Sequence, residues 1–293
     1  MNARAVVLAS TAALALGAPL AACQRPARVP ARQAEAKAQA QSGAAAPDPG
    51  YRDPPQVSGV AAAADGGVSL SGRALPSSQV RMISPTGARV ETRADGQGAW
   101  TAPIGPVSEP SLYRLAEEAG GERVEAEGLV AVLPGAPTVA LLRAGFGAEV
   151  VGPVGKTPVE ILAVDYDAAG GAVVSGRAKA ASPVRVLVDG QPAIEGAADG
   201  HGRFSLTLPK PLPPGRHSLQ AITPQGAAET EVAVTPPAPP KDAQYVAQAQ
   251  PYGWRVDWIT PGGGAQTTLL PGAAAPANPP PAGSSAAALP AAG

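Results

Sequence analysis

Chemistry in this chain would have to come from a short set of residues. His201 and His217 are its two histidines, one in a turn and one opening a strand. Acid–base or metal work needs partners, and no Ser/His/Asp or His/carboxylate spacing accompanies either. Both read as solvated or edge-strand side chains. Asp165 and Asp167 flank Tyr166; on an extended strand they share one face, which reads as simply wet. Gly152-Pro153-Val154-Gly155-Lys156-Thr157 ends like a phosphate-binding loop, but the place of the first glycine falls on Val150-Val151. A strand rather than a helix follows, so the segment reads as a linker. Asp95 and Asp199 each precede glycines, with too few oxygen ligands nearby for calcium; turn chemistry explains both. These patterns call for no cofactor and no metal. The richest segment is Tyr252 to Ile259, where alternation puts Trp254, Val256 and Trp258 on one face and Arg255 and Asp257 on the other. Gly262-Gly263-Gly264 turns the chain and Gln266 to Leu270 returns. Tyr252, Trp254 and Trp258 either cover the core face of a last sheet or form an exposed strip for glycan or a partner chain. The sequence leaves both open.

The elements that would position such residues are strands. Val68-Ser69-Leu70-Ser71, Gln79 to Ile83, Ala99 to Ala102, Val184 to Val188, Arg203 to Leu208, His217 to Ile222 and Glu229 to Val234 are short runs of period two. Gly, Pro and Asp divide them at close spacing, which is the pattern of a sandwich or barrel. Leu112 to Gly120 has helical flavour, but its counterpart later in the chain is strand-like, so it too reads as strand.

An internal repeat organises these runs. Gly66-Gly67 matches Gly170-Gly171 (170 − 66 = 104), and Ser71-Gly72-Arg73-Ala74 matches Ser175-Gly176-Arg177-Ala178 at the same offset. Val80-Arg81 matches Val184-Arg185, and Ala94-Asp95-Gly96 with Gly98 matches Ala198-Asp199-Gly200 with Gly202. Trp100 aligns with Phe204, and this pair is expected to plug the two cores in a chain only 3% aromatic. A weaker echo, shifted by two residues, pairs Phe146-Gly147 and Val150 with Tyr252-Gly253 and Val256. The chain therefore holds two copies of one module of about 100 residues, a size that suits an immunoglobulin-like sandwich.

The charge is balanced, with 22 Lys and Arg against 23 Asp and Glu, a formal net charge of −1. Without a basic patch or tail, nucleic acid is not an expected partner. Proline and glycine are abundant, 35 of each; residues 24–55 are Ala, Pro, Gln and scattered charge, and residues 271–293 are almost wholly Ala, Pro, Gly and Ser. Both segments are expected to be disordered, since neither can bury enough apolar surface to offset its ordering entropy. As a flexible tether the first would reach on the order of 30 Å.

Two resemblances refine these readings. A Val-Arg-Val strand, the turn Asp199-Gly200-His201-Gly202-Arg203-Phe204, and Leu212-Pro213-Pro214-Gly215-Arg216-His217-Ser218-Leu219 together resemble bacterial Ig-like modules. That resemblance implies a tandem Ig-like fold and says almost nothing about activity. At the N-terminus, Asn2-Ala3-Arg4 and the uncharged stretch Ala5 to Ala18 read as a secretory signal, too short to span a bilayer. Leu20-Ala21-Ala22-Cys23 resembles the lipobox of bacterial lipoproteins, which implies that Cys23 is acylated and becomes the first mature residue. Cys23 is the single cysteine, so its acylation leaves no thiol for a disulfide or a Cys-bound metal. Gln24 in place of Asp implies the outer membrane.

The expected organisation is a signal peptide (1–22), lipidated Cys23 and tether (23–55), Ig-like module 1 (56–152), Ig-like module 2 with the aromatic hairpin (158–270) and an Ala/Pro/Gly tail (271–293). The expected protein is all-β, lipid-anchored in the cell envelope facing the periplasm, and non-catalytic. Its expected partners are the membrane, through Cys23, and an envelope protein or a glycan.

Overall fold

The structure, a computed structural model, describes residues 52–272 except 136, 154 and 240. The lipobox residues Leu20 to Cys23, most of the tether and nearly all of the tail lie outside the described residues. Twenty strands and no helix occur among the described residues.

Module 1 opens with β1 (Gln56–Ala62), β2 (Val68–Arg73), β3 (Gln79–Ile83), β4 (Arg89–Arg93), β5 (Ala99–Ile104), β6 (Ser111–Ala119) and β7 (Glu122–Glu125). These form two antiparallel layers, β1-β2-β5 facing β4-β3-β6 with β7 beside β6. Three further strands, β8 (Leu129–Val132), β9 (Val139–Leu142) and β10 (Glu149–Val151), extend the second layer from β6. Module 2 runs β11 (Val159–Asp167), β12 (Ala172–Ala178), β13 (Pro183–Val188), β14 (Gln191–Ala197), β15 (Arg203–Thr207), β16 (Gly215–Thr223) and β17 (Gly226–Val234). It ends with β18 (Tyr245–Gln250), β19 (Gly253–Ile259) and β20 (Ala265–Pro271). Its layers are β15-β12-β11-β20-β19-β18 and β14-β13-β16-β17.

The repeat is structural. Val68 and Ala172, Gln79 and Pro183, Ala99 and Arg203, Ser111 and Gly215, and Glu122 and Gly226 open five pairs of equivalent strands, each pair 104 residues apart. Even the bulge is shared: the register shifts between Val57 and Gly59 in β1, and between Ile161 and Ala163 in β11. The segment with helical flavour is strand β6, because its pairing with β3 and β8 outweighs local propensity.

The repeated Ser-Gly-Arg-Ala exists because the aromatic lies on its glycine. A Cβ on Gly72 would stand 1.9 Å from Gln56 O and 2.5 Å from the Trp100 ring; on Gly176 it would stand 2.0 Å from Glu160 O and 2.5 Å from the Phe204 ring. Trp100 and Phe204 are both buried in their module cores. The Asp-Gly-x-Gly turns follow from two needs. Asp95 Oδ1 accepts the amides of Gln97 and Ala99, and Asp199 Oδ1 those of His201 and Arg203. Gly98 and Gly202 then take φ of 83° and 77°, which a side chain disfavours. Gly72→Ala is expected to cost about 1–3 kcal/mol through overpacking against fixed backbone. Gly96→Ala, where a Cβ meets nothing within 4 Å, is expected to stay within about 0.5 kcal/mol. Thermal melting of the two variants checks the contrast.

The modules diverge after the strands that pair with the starts of β6 and β16, which are β8 and β17. In module 1 the short segment 133–138 lets β9 fold back on β8 in the same layer. In module 2 the equivalent connection, 235–244, carries Pro236, Pro237, Pro239 and Pro240. Proline cannot donate to a ladder, so β17 ends at Val234; the longer connection then crosses the sandwich, and β18-β19-β20 build onto β11 in the opposite layer.

Candidate functional site

The two extensions meet. From module 1, Leu112, Leu129, Ala131, Leu133, Ala140, Leu142 and Ala148, and from module 2, Ala163, Trp254, Val256, Trp258 and Leu270, form one buried apolar cluster. It is separate from both sandwich cores. The strands that build it are buried on both faces. In β8, all four residues are buried, with Val130 and Val132 turned to the core of module 1 and Leu129 and Ala131 to the junction. In β19, residues 253–258 are all buried.

This burial corrects one of the two readings of the aromatic hairpin. Trp254 is 4% exposed and Trp258 0%, so they form no exposed strip; β19 is an inner strand flanked by β18 and β20. Nor do they cover the core of their own sandwich: they fill the seam between modules. The Trp258 indole N–H donates to Thr268 Oγ1 at 3.1 Å. Tyr252 is half-buried against the core of module 2, and its hydroxyl accepts the Ala233 amide at 3.3 Å.

The opposite face of β19 is also dry. Arg255 and Asp257 form a buried two-pronged ion pair, Nε to Oδ2 at 2.9 Å and Nη2 to Oδ1 at 2.8 Å. Arg255 also donates to Tyr166 Oη at 2.8 Å and Pro236 O at 3.1 Å, its guanidinium lies 5.9 Å from the Tyr166 ring, and Thr267 Oγ1 donates to Asp257. Burial works against the Arg255 charge, but Asp257, Tyr166 and Tyr252 together outweigh it and hold the Arg255 pKa above its ordinary value.

Asp165 requires a second correction. It is 2% exposed and faces the junction rather than water, because β20 covers the edge of β11 that a lone sandwich would leave open. It accepts the Ala148 amide of module 1 at 2.7 Å, and Thr268 Oγ1 and Gln266 Nε2 from β20. Burial pushes its carboxyl up to about 6, against the pull of those hydrogen bonds and of Arg143. Asp167, at the strand end, is exposed and holds the turn amides of Ala169 and Gly171.

The Asp165 proton links pH to stability. Unfolded, the carboxyl titrates near 3.8; folded, near 6. The folded chain therefore binds the proton more tightly, and the resulting stabilisation is fully present below about pH 4 and lost as pH rises through 6. Stability is expected to fall by on the order of 2–3 kcal/mol between pH 4 and pH 8 from this group. Denaturant unfolding across that range, with Asp165→Asn removing the dependence, checks the assignment.

Around the apolar seam runs a polar rim. Arg177 donates to Val150 O at 2.7 Å and Gly152 O at 3.2 Å, Arg203 pairs with Glu149, and Ser205 Oγ donates to Phe146 O at 2.6 Å. The turn so pinned leaves the Phe146 side chain 70% exposed. His217 also departs from expectation. It is buried, with Nδ1 at 2.8 Å from Asp189 Oδ2 and Nε2 at 2.8 Å from Pro213 O, so it ties a turn to β16. His201 lies in an exposed turn. No group of three or more metal-ligating side chains occurs among the described residues.

No family model matches this chain, and no curated protein matches it. Solved structures do. The BSP domain of a biofilm associated protein is 15% identical over 64% of this chain, with a TM-score of 0.22, and this chain covers 30% of that one. The central fibronectin-III array of a RIM-binding protein is 11% identical over 76% of this chain and 90% of that one, TM-score 0.26. A bacterial ice-binding adhesin is 11% identical over 75% and 88%, TM-score 0.19. Scores this low leave the class to the chain's own strand order. With β1-β2-β5 facing β4-β3-β6-β7 and the same order in β11 to β17, it is an all-β protein of two tandem immunoglobulin-like sandwiches.

Proposed function

We propose that this is a non-catalytic interaction protein of the bacterial cell envelope, anchored by acylated Cys23, in which two fused Ig-like modules stand off the membrane on residues 24–55. One observation carries the non-catalytic reading. The buried ionisable groups Asp165, the Arg255–Asp257 pair and His217 are each committed to hydrogen bonds that join strands, turns or modules, and Glu117, 1% exposed, accepts the Leu75 amide. A reactive site would leave at least one such group facing a substrate cleft. Membrane attachment rests on the Leu20 to Cys23 motif behind an apolar stretch, and the outer membrane on Gln24. A single acyl chain binds reversibly, and more than one holds firmly.

The test is mass spectrometry of the N-terminal peptide from fractionated cells. Acylated Cys23 in the outer-membrane fraction is the expected result. An unmodified chain cut elsewhere and recovered as soluble protein overturns the anchor and the placement with it.

A further inference from the structure

The interaction surface in that reading has a specific location. A strand at the end of a sheet presents unpaired backbone groups to any other strand, and folded chains blunt such edges with charges, prolines, bulges or shortness. Among the described residues, nearly every terminal strand carries one of these devices. β4 has Arg89, Glu91 and Arg93; β7 has Glu122, Arg123 and Glu125; β14 has Pro192 and Glu195; β17 has Glu229 and Glu231. β15 has Arg203, β5 has Pro103, β1 has its bulge, and β10 is three residues long with the Val150 carbonyl taken by Arg177. The exception is β18, Tyr245-Val246-Ala247-Gln248-Ala249-Gln250, uncharged, free of proline and paired with β19 in unbroken register.

We propose that β18 is a dimerisation edge, pairing antiparallel with the β18 of a second copy of this chain about a two-fold axis at Ala247. Ile259 N–H donates to Gln244 O at 2.9 Å, so the alternation of the ladder turns the amides and carbonyls of Tyr245, Ala247 and Ala249 outward. Centred on Ala247, the pairing sets Ala247 opposite itself and Tyr245 opposite Ala249. Every outward donor then meets an outward acceptor, large side chain lies against small, and no charge faces a like charge. Such an interface uses the same patch on both subunits and closes upon itself.

The surroundings fit this occupant. Tyr245, Ala247 and Ala249 are the outermost side chains packed on the junction cluster, so an added strand continues an interface that already exists. A groove lined by Pro85, Thr86, Glu109 and Ile259 runs beside the edge. Gln244 is held by Arg114 of β6 at 3.2 Å, which fixes the start of the strand.

Thiol crosslinking of the full chain reads the register directly, in a Cys23→Ser background where the introduced cysteine stands alone. Directly opposed residues of a hydrogen-bonded pair lie about 5.5 Å apart at Cα, within disulfide range. Ala247→Cys is expected to give a covalent dimer on mild oxidation, and Ala249→Cys is not, because its partner is Tyr245. The double variant Tyr245→Cys/Ala249→Cys is expected to crosslink again. Sedimentation velocity is expected to show a dimer that Ala247→Pro converts to monomer with the near-ultraviolet circular dichroism unchanged, because the N–H it removes faces away from β19. A folded, monomeric chain overturns the proposal, as does equal crosslinking of Ala247→Cys and Ala249→Cys. An edge protected from hydrogen exchange in a monomer also overturns it, since the chain itself then covers β18. Because all variants lack the Cys23 thiol, failure here is separate from failure of the anchor.

Discussion

Trp258→Ala is expected to destabilise the chain by about 3–5 kcal/mol, the range for emptying a fully buried large aromatic site. Trp258 is 0% exposed and contributes to a cluster drawn from β6, β8 and β9 of one module and β11, β19 and β20 of the other. The loss therefore falls on the seam and not on either sandwich core, and the variant is expected to unfold in two steps where the parent unfolds in one. Trp258→Phe keeps most of the volume and loses the hydrogen bond to Thr268, for an expected cost of about 1 kcal/mol beyond the lost packing. Denaturant titration followed by fluorescence and far-ultraviolet circular dichroism reads both variants. Coincident single transitions in Trp258→Ala, with stability near the parent's, contradict the assignment of the seam.

Asp257→Ala is expected to cost about 3–5 kcal/mol, because it strands a buried guanidinium. Arg255 is 6% exposed and Asp257 1%, and Thr267 loses its acceptor in the same variant. Replacing both charges, as in Arg255→Met with Asp257→Leu, is expected to recover most of that loss, since the pair's desolvation cost vanishes along with its attraction. The double-mutant cycle isolates the coupling energy. If Asp257→Ala melts with the parent, the pair is wet in solution and the inner position of β19 is wrong.

Much of the fold is legible in the sequence. The constant offset exposed the duplication because the turns that carry it are chemically constrained: Asp95 and Asp199 must accept turn amides, and Gly72 and Gly176 must lie under an aromatic. Period-two runs between those turns specify strands, and a module length of about 100 residues suits an immunoglobulin-like sandwich. The junction was harder to read. Alternation in Trp254 to Trp258 correctly separates two faces, but alternation alone assumes that a charged face is wet. Here Arg255 and Asp257 stand two apart on one face and satisfy each other, a spacing that could have signalled a dry pair. Asp165 was misread for the same reason, since its partners Ala148, Gln266 and Thr268 are remote in sequence.

Two further signals lie in the sequence. The apolar runs Leu129 to Leu133 and Val139 to Leu142 do not alternate at all, which marks strands buried on both faces. The prolines after Thr235 cannot continue the β17 ladder, and the connection they occupy is long enough for the crossover that builds β18 to β20. Tyr245 to Gln250 gives a weak strand signal because beyond Tyr245 and Val246 its side chains are only alanine and glutamine. The edge it forms becomes visible only once the protection of every other edge is known.

The central claim is that the modules are joined by a buried core and behave as one cooperative unit. Differential scanning calorimetry of the full chain tests it most directly. One transition is predicted, with the calorimetric enthalpy equal to the van't Hoff enthalpy. Two resolved transitions, or a calorimetric enthalpy near twice the van't Hoff value, would show two sandwiches melting independently and would contradict the seam on which the account rests.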